Sequence, residues 1–210
     1  MNYIKLSLVL RSHKMYLFAL EDVKNLFPDE KPKTIKNNLI RWLSKGYFVR
    51  LKRNLYEFID RGPGLKIPDV YVANRLYEPS YVSLETALSI YSIIPDIAVS
   101  VTSITTRPTR TFKNNYGSFF YRTCQRKAFT GYRLMSYEGF KVNIADKEKA
   151  LVDFLYYRLR SGNILNFSQE RLNKRILKRI DWKKVFQYAG LFSNSRMIKL
   201  LKECKEYVKC

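Results

Sequence analysis

The sequence predicts an α+β fold in two parts: a small N-terminal unit of helices closed by a β-hairpin, then a mixed α/β region that ends in helices. Three observations predict it. An apolar stripe at helical spacing, a glycine stop and two β-prone runs follow one another before residue 60. The stretch Asp60-Arg61-Gly62-Pro63-Gly64 then breaks the chain. Past it, short β-branched and aromatic runs continue to about residue 144, after which the periodicity is helical. These features give a first domain over 1–65 and a second over 66–210.

In the first domain, Asn2 to Arg11 carries Ile4, Leu6, Leu8, Val9 and Leu10 in an imperfect helical pattern. Met15 to Phe18 reads as a short strand. Leu20 to Phe27 reads as a short helix with Glu21 and Asp22 in its first turn, where carboxylates complement the helix dipole. Pro28 to Lys31 is a turn, and Pro32 suits a first helical position. From Pro32 to Lys45, Ile35, Leu39, Trp42 and Leu43 recur at i, i+4, i+7 and i+8, one stripe facing a core. Gly46 is the expected stop. Tyr47 to Leu51 and Leu55 to Ile59 are two strands of a hairpin with Lys52-Arg53-Asn54 at its tip.

In the second domain, helices are expected over Val70 to Leu76 and Ser83 to Tyr91, with the Ser83 hydroxyl as N-cap. Ala98 to Thr105 is a strand by its β-branched content, and Arg107 to Lys113 a basic connection. Strands follow over Ser118 to Thr123, Tyr132 to Tyr137 and Phe140 to Ile144, the last two joined by a Glu138-Gly139 turn. Asp146 caps a helix through Arg160 whose inward face is Ala150, Leu151, Phe154, Leu155 and Leu159. Helices are then expected over about 168–180, 181–189 and 194–208. On the first of these, Arg171, Lys174, Arg175, Lys178 and Arg179 stand at i, i+3, i+4, i+7 and i+8. They form a second basic surface on one helix face, suited to a phosphate backbone or an acidic protein.

The chain has 39 Lys and Arg against 18 Asp and Glu, a net charge of +21. The excess sits at both ends. Residues 1–66 hold 14 basic and 6 acidic side chains, and residues 161–210 hold 12 and 4. Such a balance attracts polyanions. The cysteines, Cys124, Cys204 and Cys210, are odd in number and form no CxxC pair, which argues against a disulfide framework or a zinc ribbon. No signal-peptide pattern and no membrane-length apolar run is present, so a cytoplasmic location is expected.

Catalytic motifs are missing: no GxSxG, HExxH, GxxxxGK[ST] or GxGxxG occurs. His13 is the single histidine and has no partner motif. Asp146-Lys147-Glu148-Lys149 invites a metal-dependent nuclease reading, but the strands before it supply no further carboxylates. The chain is therefore expected not to be an enzyme and to need no cofactor or metal. The abundant Tyr and Phe leave RNA stacking as a further alternative.

Helix, helix, polar-faced helix and basic hairpin, in that order, is a winged helix-turn-helix arrangement, whose third helix enters the major groove. Asn37, Asn38 and Arg41 are of the types that read base edges. Lys33, Thr34, Lys36, Lys52, Arg53 and Asn54 complete the expected DNA-binding set, the lysines and the hairpin tip suiting phosphates.

Three stretches also resemble the AbiEi family of antitoxins and transcriptional regulators from abortive-infection operons. Leu43 to Tyr56 resembles its wing pattern G-x-x-x-R-x-x-R-x-x-Y, Tyr81 to Leu88 its Y-[IV]-S-x-x-[ST]-A-L, and Asp146 to Asp153 its x-x-E-K-A-L-x-D. Lys147 stands where that family often has proline. The resemblance implies a winged domain that represses its own promoter, with inverted repeats as its DNA. It also implies a second domain that counteracts a nucleotidyltransferase-like toxin encoded nearby, with or without direct contact. On carry-over, Arg50 and Arg53 would be wing contacts, and Ser83, Glu85, Lys149 and Asp153 signature positions without assigned roles. The alternative is a stand-alone winged-helix regulator with no toxin.

Overall fold

The computed structural model describes residues 1–60, 62, 64–96, 98–162 and 166–209. The chain divides into two compact units, Met1–Ile67 and Pro68–Cys210. Both mix helix and strand, so the protein is α+β.

The first unit runs α1 (Tyr3–Ser12), β1 (Leu17–Ala19), α2 (Leu20–Leu26), α3 (Pro32–Ser44), β2 (Phe48–Lys52) and β3 (Leu55–Phe58). Asn2 caps α1 by accepting from the Lys5 amide at 2.9 Å. The Asp22 carboxylate accepts from the Ala19 amide at 2.7 Å and fixes the entry to α2. Gly46 adopts φ 75° just past α3, a conformation that favours glycine. The strands form one antiparallel sheet in the order β1-β3-β2, with Phe18 opposite Tyr56 and Phe48 opposite Phe58. Leu6 and Leu10 of α1, Val23 of α2 and Ile35, Leu39 and Trp42 of α3 close over Phe18, Phe48 and Phe58. Phe18 and Phe48 meet edge to face, centroids 5.0 Å apart.

The second unit opens with α4 (Asp69–Leu76), β4 (Ser80–Val82), α5 (Leu84–Ile90), β5 (Val101–Thr105), β6 (Arg110–Asn114) and β7 (Gly117–Thr123). A 3₁₀ turn, Arg126–Ala128, leads to β8 (Tyr132–Tyr137), β9 (Phe140–Ala145) and α6 (Lys147–Arg160). It closes with α7 (Lys174–Leu177), α8 (Trp182–Gly190) and α9 (Ser195–Lys209). The sheet order is β6-β7-β5-β4-β9-β8, with β5–β7 and β4–β9 parallel and the other pairs antiparallel.

Side-chain alternation assigns the helices to faces. Val82, Ser103 and Tyr121 are cross-strand neighbours, and the Tyr121 hydroxyl donates to the Ala73 carbonyl of α4 at 2.6 Å. Tyr81 points the other way, and its hydroxyl donates to Asp153 of α6 at 3.1 Å. Helices therefore cover both faces, and the central strand β4 is buried throughout. The Asn74 side chain bridges α4 to β9 through the backbone of Asn143, accepting from its amide at 2.6 Å.

The structure corrects four expectations. β4 was not expected as a strand; it is three residues long and runs directly into α5. The basic connection after Arg107 contains β6, an edge strand whose Arg110, Thr111 and Lys113 are exposed, a composition that protects a sheet edge from pairing with other chains. Ser83 stands at the N-cap position of α5, but its hydroxyl makes no cap and turns inward instead. The expected helix over 168–180 reduces to α7, because Arg171 adopts φ 52° and Asn173 caps a new start by accepting from the Ile176 amide. Repeated like charges at i, i+4 oppose a continuous helix there, and asparagine favours caps over helix interiors. In the Asp60–Gly64 break, Arg61 and Pro63 lie outside the described residues, as does Cys210.

Candidate nucleic-acid interface

The outward faces of α3 follow from its inward stripe. With Ile35, Leu39 and Trp42 buried, Lys33, Asn37 and Arg41 fall on one exposed line at i, i+4 and i+8. Thr34 and Lys36 are also exposed, and no acidic residue interrupts the helix. Ile40 sits on this face, 54% exposed. Its exposure was not anticipated; the signal was its position off the stripe, four residues after Lys36. An apolar side chain among basic ones on such a face is suited to a thymine methyl group.

Asn38 differs from its neighbours. It is half-buried, its amide nitrogen donates to the Met1 carbonyl at 3.3 Å, and its oxygen accepts from the Arg41 guanidinium at 3.0 Å. Asn38 therefore positions Arg41 rather than presenting a free amide. The Arg41 guanidinium also lies 5.9 Å from the Trp42 ring centre, a cation–π distance that further restricts it.

In the hairpin, a bulge between Arg50 and Lys52 shifts the register. Lys52 is half-buried in β2, so the exposed tip is Arg53 and Asn54, the latter at φ 63°, a turn conformation asparagine tolerates. Arg50 is exposed, and its Nε donates to the Lys52 carbonyl at 3.4 Å across the bulge.

The second-unit positions divide by burial. Lys149 and Asp153, one turn apart on α6, form an ion pair with both side chains 0% exposed. Asp153 also accepts from Ser83 at 2.8 Å and from Tyr81 at 3.1 Å. Burial pushes the Asp153 carboxyl above the usual carboxylate range, against the opposing pull of the Lys149 ammonium and the two hydroxyls. The Lys149 ammonium lies 4.9 Å from the Phe192 ring centre and 5.7 Å from that of Tyr81. Gly131 packs against its stem: a Cβ there would come within 2.9 Å of Lys149 Cβ and 2.7 Å of Tyr188 Cζ. This constellation ties β4, α6 and the approach to β8 together and opens to no solvent. Glu85 is separate, half-buried and 3.7 Å from Arg158, which also faces Glu170 at 3.4 Å.

The carboxylates of Asp146-Lys147-Glu148-Lys149 are engaged within the fold. Asp146 accepts from the Lys149 amide, the Tyr188 hydroxyl and Lys184, at 2.8, 2.8 and 2.7 Å. Burial, and then the hydrogen bond to Asp146, push the Tyr188 phenol up to about 12. Glu148 accepts from the Asp181 amide at 3.2 Å. Lys147, in place of the family's proline, is simply the first residue of α6. His13 is exposed, its Nδ1 2.9 Å from the Val9 carbonyl. Among the described residues, no three His, Cys, Asp or Glu side chains converge as a metal site would require, and no helix is long and apolar enough to cross a membrane.

The second basic surface is not a single helix face. Arg171 pairs with Asp96 at 2.9 Å, and Lys174 lies over the Tyr207 ring at 4.1 Å. Arg175, Lys178 and Arg179 remain together at α7.

No protein-family model matches the chain, and a search of curated proteins finds no match.

Proposed function

We propose that the chain is a DNA-binding repressor whose first unit is a winged helix-turn-helix, with α3 as the recognition helix and the β2–β3 hairpin as the wing. The observation that carries this reading is the outward face of α3, an acid-free surface of Lys33, Thr34, Lys36, Asn37, Ile40 and Arg41 on a helix held by its opposite stripe. The order α1, β1, α2, α3, β2, β3 supports it, as does the basic tip at Arg53. The partner is duplex DNA of the chain's own promoter, approached by the rest of the basic charge without base readout. The engagement of Asp146 and Glu148 in caps and ion pairs favours this binding role over hydrolysis.

The antitoxin half of the proposal rests on the motif resemblance: a second unit that counteracts a nucleotidyltransferase-like toxin. Co-expression with such a toxin from a neighbouring gene tests it, and a toxin whose growth arrest the chain leaves unrelieved reduces the reading to a stand-alone regulator.

The DNA-binding half is tested by fluorescence anisotropy on the upstream duplex across a salt series. Arg41→Ala should cost about 1–3 kcal/mol and relax sequence preference. Arg50→Ala/Arg53→Ala should weaken all duplexes alike and lower the salt slope by about one unit per lost phosphate contact. Equal binding to every duplex, unchanged by Arg41→Ala, rejects α3 as a recognition helix.

A further inference from the structure

Of the five residues expected on one basic helix face, Arg175, Lys178 and Arg179 instead line an open concavity of about 630 Å³. Lys147 from the start of α6 and Arg175, Lys178 and Arg179 from around α7 line it, together with Ile176 and Ile180. All four cations are exposed and, among the described residues, no carboxylate lines the cavity, while Ile180 is buried and Ile176 half-buried. The acids beside Lys147 in sequence cannot neutralise the group, because Asp146 and Glu148 are held by Lys184 and by the α8 start. Asn173 fixes the local backbone: its amide donates to the Ile93 carbonyl at 2.7 Å and its side chain to the Ser92 carbonyl at 3.3 Å. The four cations thus rim one concave site with an apolar floor, and an excess of like charge around a concavity favours a polyanion there.

We infer that this cavity is a binding site for a nucleoside polyphosphate. Its volume lies in the small-ligand range. The cations match a di- or triphosphate, Arg175 and Arg179 through guanidinium forks and Lys147 and Lys178 as point charges. The isoleucines provide the surface on which a base or ribose packs. A duplex backbone is convex and extended, and it suits the open stripe that the break at Arg171 abolishes. The inference is independent of the α3 reading, since it concerns the second unit alone.

Isothermal titration calorimetry on the full chain, in magnesium-free buffer, tests it with ATP, GTP, inorganic tripolyphosphate, adenosine and a 20-base-pair duplex. One-to-one binding of ATP or GTP is expected, with weaker tripolyphosphate binding and none by adenosine. Arg175→Ala/Lys178→Ala should weaken the nucleotide at least tenfold. Ile176→Ala should weaken ATP or GTP while sparing tripolyphosphate, separating the apolar floor from the charge. All these side chains reach solvent, and an unchanged melting temperature checks that the variants fold. Failure of every phosphate ligand to bind overturns the inference. So does duplex binding that depends on Arg175 and Lys178 and is not displaced by ATP or GTP, which would assign the cavity to a nucleic-acid backbone. Loss of α3-dependent DNA binding in Arg41→Ala with nucleotide binding intact would leave this site standing.

Discussion

Lys149 and Asp153 show how a single pair can hold several elements at once. Each is fully buried, so removing one leaves the other charge without its counterpart. Lys149→Met or Asp153→Leu alone should lose about 3–5 kcal/mol of unfolding free energy in urea titrations. The double variant should lose clearly less than the two losses added together, because no orphaned charge remains. A strictly additive double variant would show that the pair is not coupled. Gly131 is the companion case. It adopts φ 75° and has no room for a Cβ beside Lys149 and Tyr188. Gly131→Ala should cost at least about 1–3 kcal/mol from backbone strain alone, measured by the same titration, and wild-type stability would mean that the neighbours yield. The motif positions Ser83, Lys149 and Asp153 were visible in the sequence, but their role was not. Nothing in the spacing of Ser83 and Asp153 says that a hydroxyl at a helix start will leave the cap for a carboxylate far along the chain.

At the scale of elements, α3 was the most legible. Its apolar stripe, proline start and glycine stop all agree, so local preference and tertiary burial point the same way. The strands β4 and β6 were not legible, for opposite reasons. β4 is too short to show a period, and its identity comes from the neighbours β5 and β9. β6 looks like a loop because its exposed side chains are basic. The segment around Arg171 failed differently: its periodicity is helical, but its charge is not compatible with a long helix. On α3 itself, sequence alone could not distinguish Asn37 from Asn38. Asn37 is exposed and Asn38 bonded at both ends. On the proposed recognition-helix reading of α3, Asn37→Ala should change the preferred base at one operator position when variant duplexes are compared. Asn38→Ala should weaken binding mainly by freeing Arg41, and should add little in an Arg41→Ala background. Full additivity of those two would remove the positioning role.

For the whole molecule, burial of weak acids sets the alkaline limit of stability. Burial pushes the Cys124 and Cys204 thiols from 9.0 up to about 11 and about 12, and raises the phenols of Tyr81, Tyr121 and Tyr157 in the same direction. Each folded value lies above the unfolded one, so the stability linked to these groups is complete below about pH 9 and is lost as pH rises through the folded values. Urea midpoints should fall steadily above pH 9, and a flat profile to pH 11 would contradict the burial of these groups. In a Cys210→Ser background, the two remaining thiols should resist alkylation at pH 8 until the protein is unfolded.

The pairing of Val82 with Ile144, and of Tyr81 and Ser83 with Asp153, also sets an order of events during synthesis. The first unit is complete once Ile67 has left the ribosome, because its three strands pair only among themselves. The middle of the second sheet has no such early closure. β4 emerges soon after, yet it waits for β9 and α6 before its second edge is paired and the Tyr81 and Ser83 hydroxyls find their acceptor. Translation that halts between those points releases a chain with one finished unit and one open sheet edge. Pauses or premature stops in that interval are thus the most exposed to aggregation and to proteolytic removal.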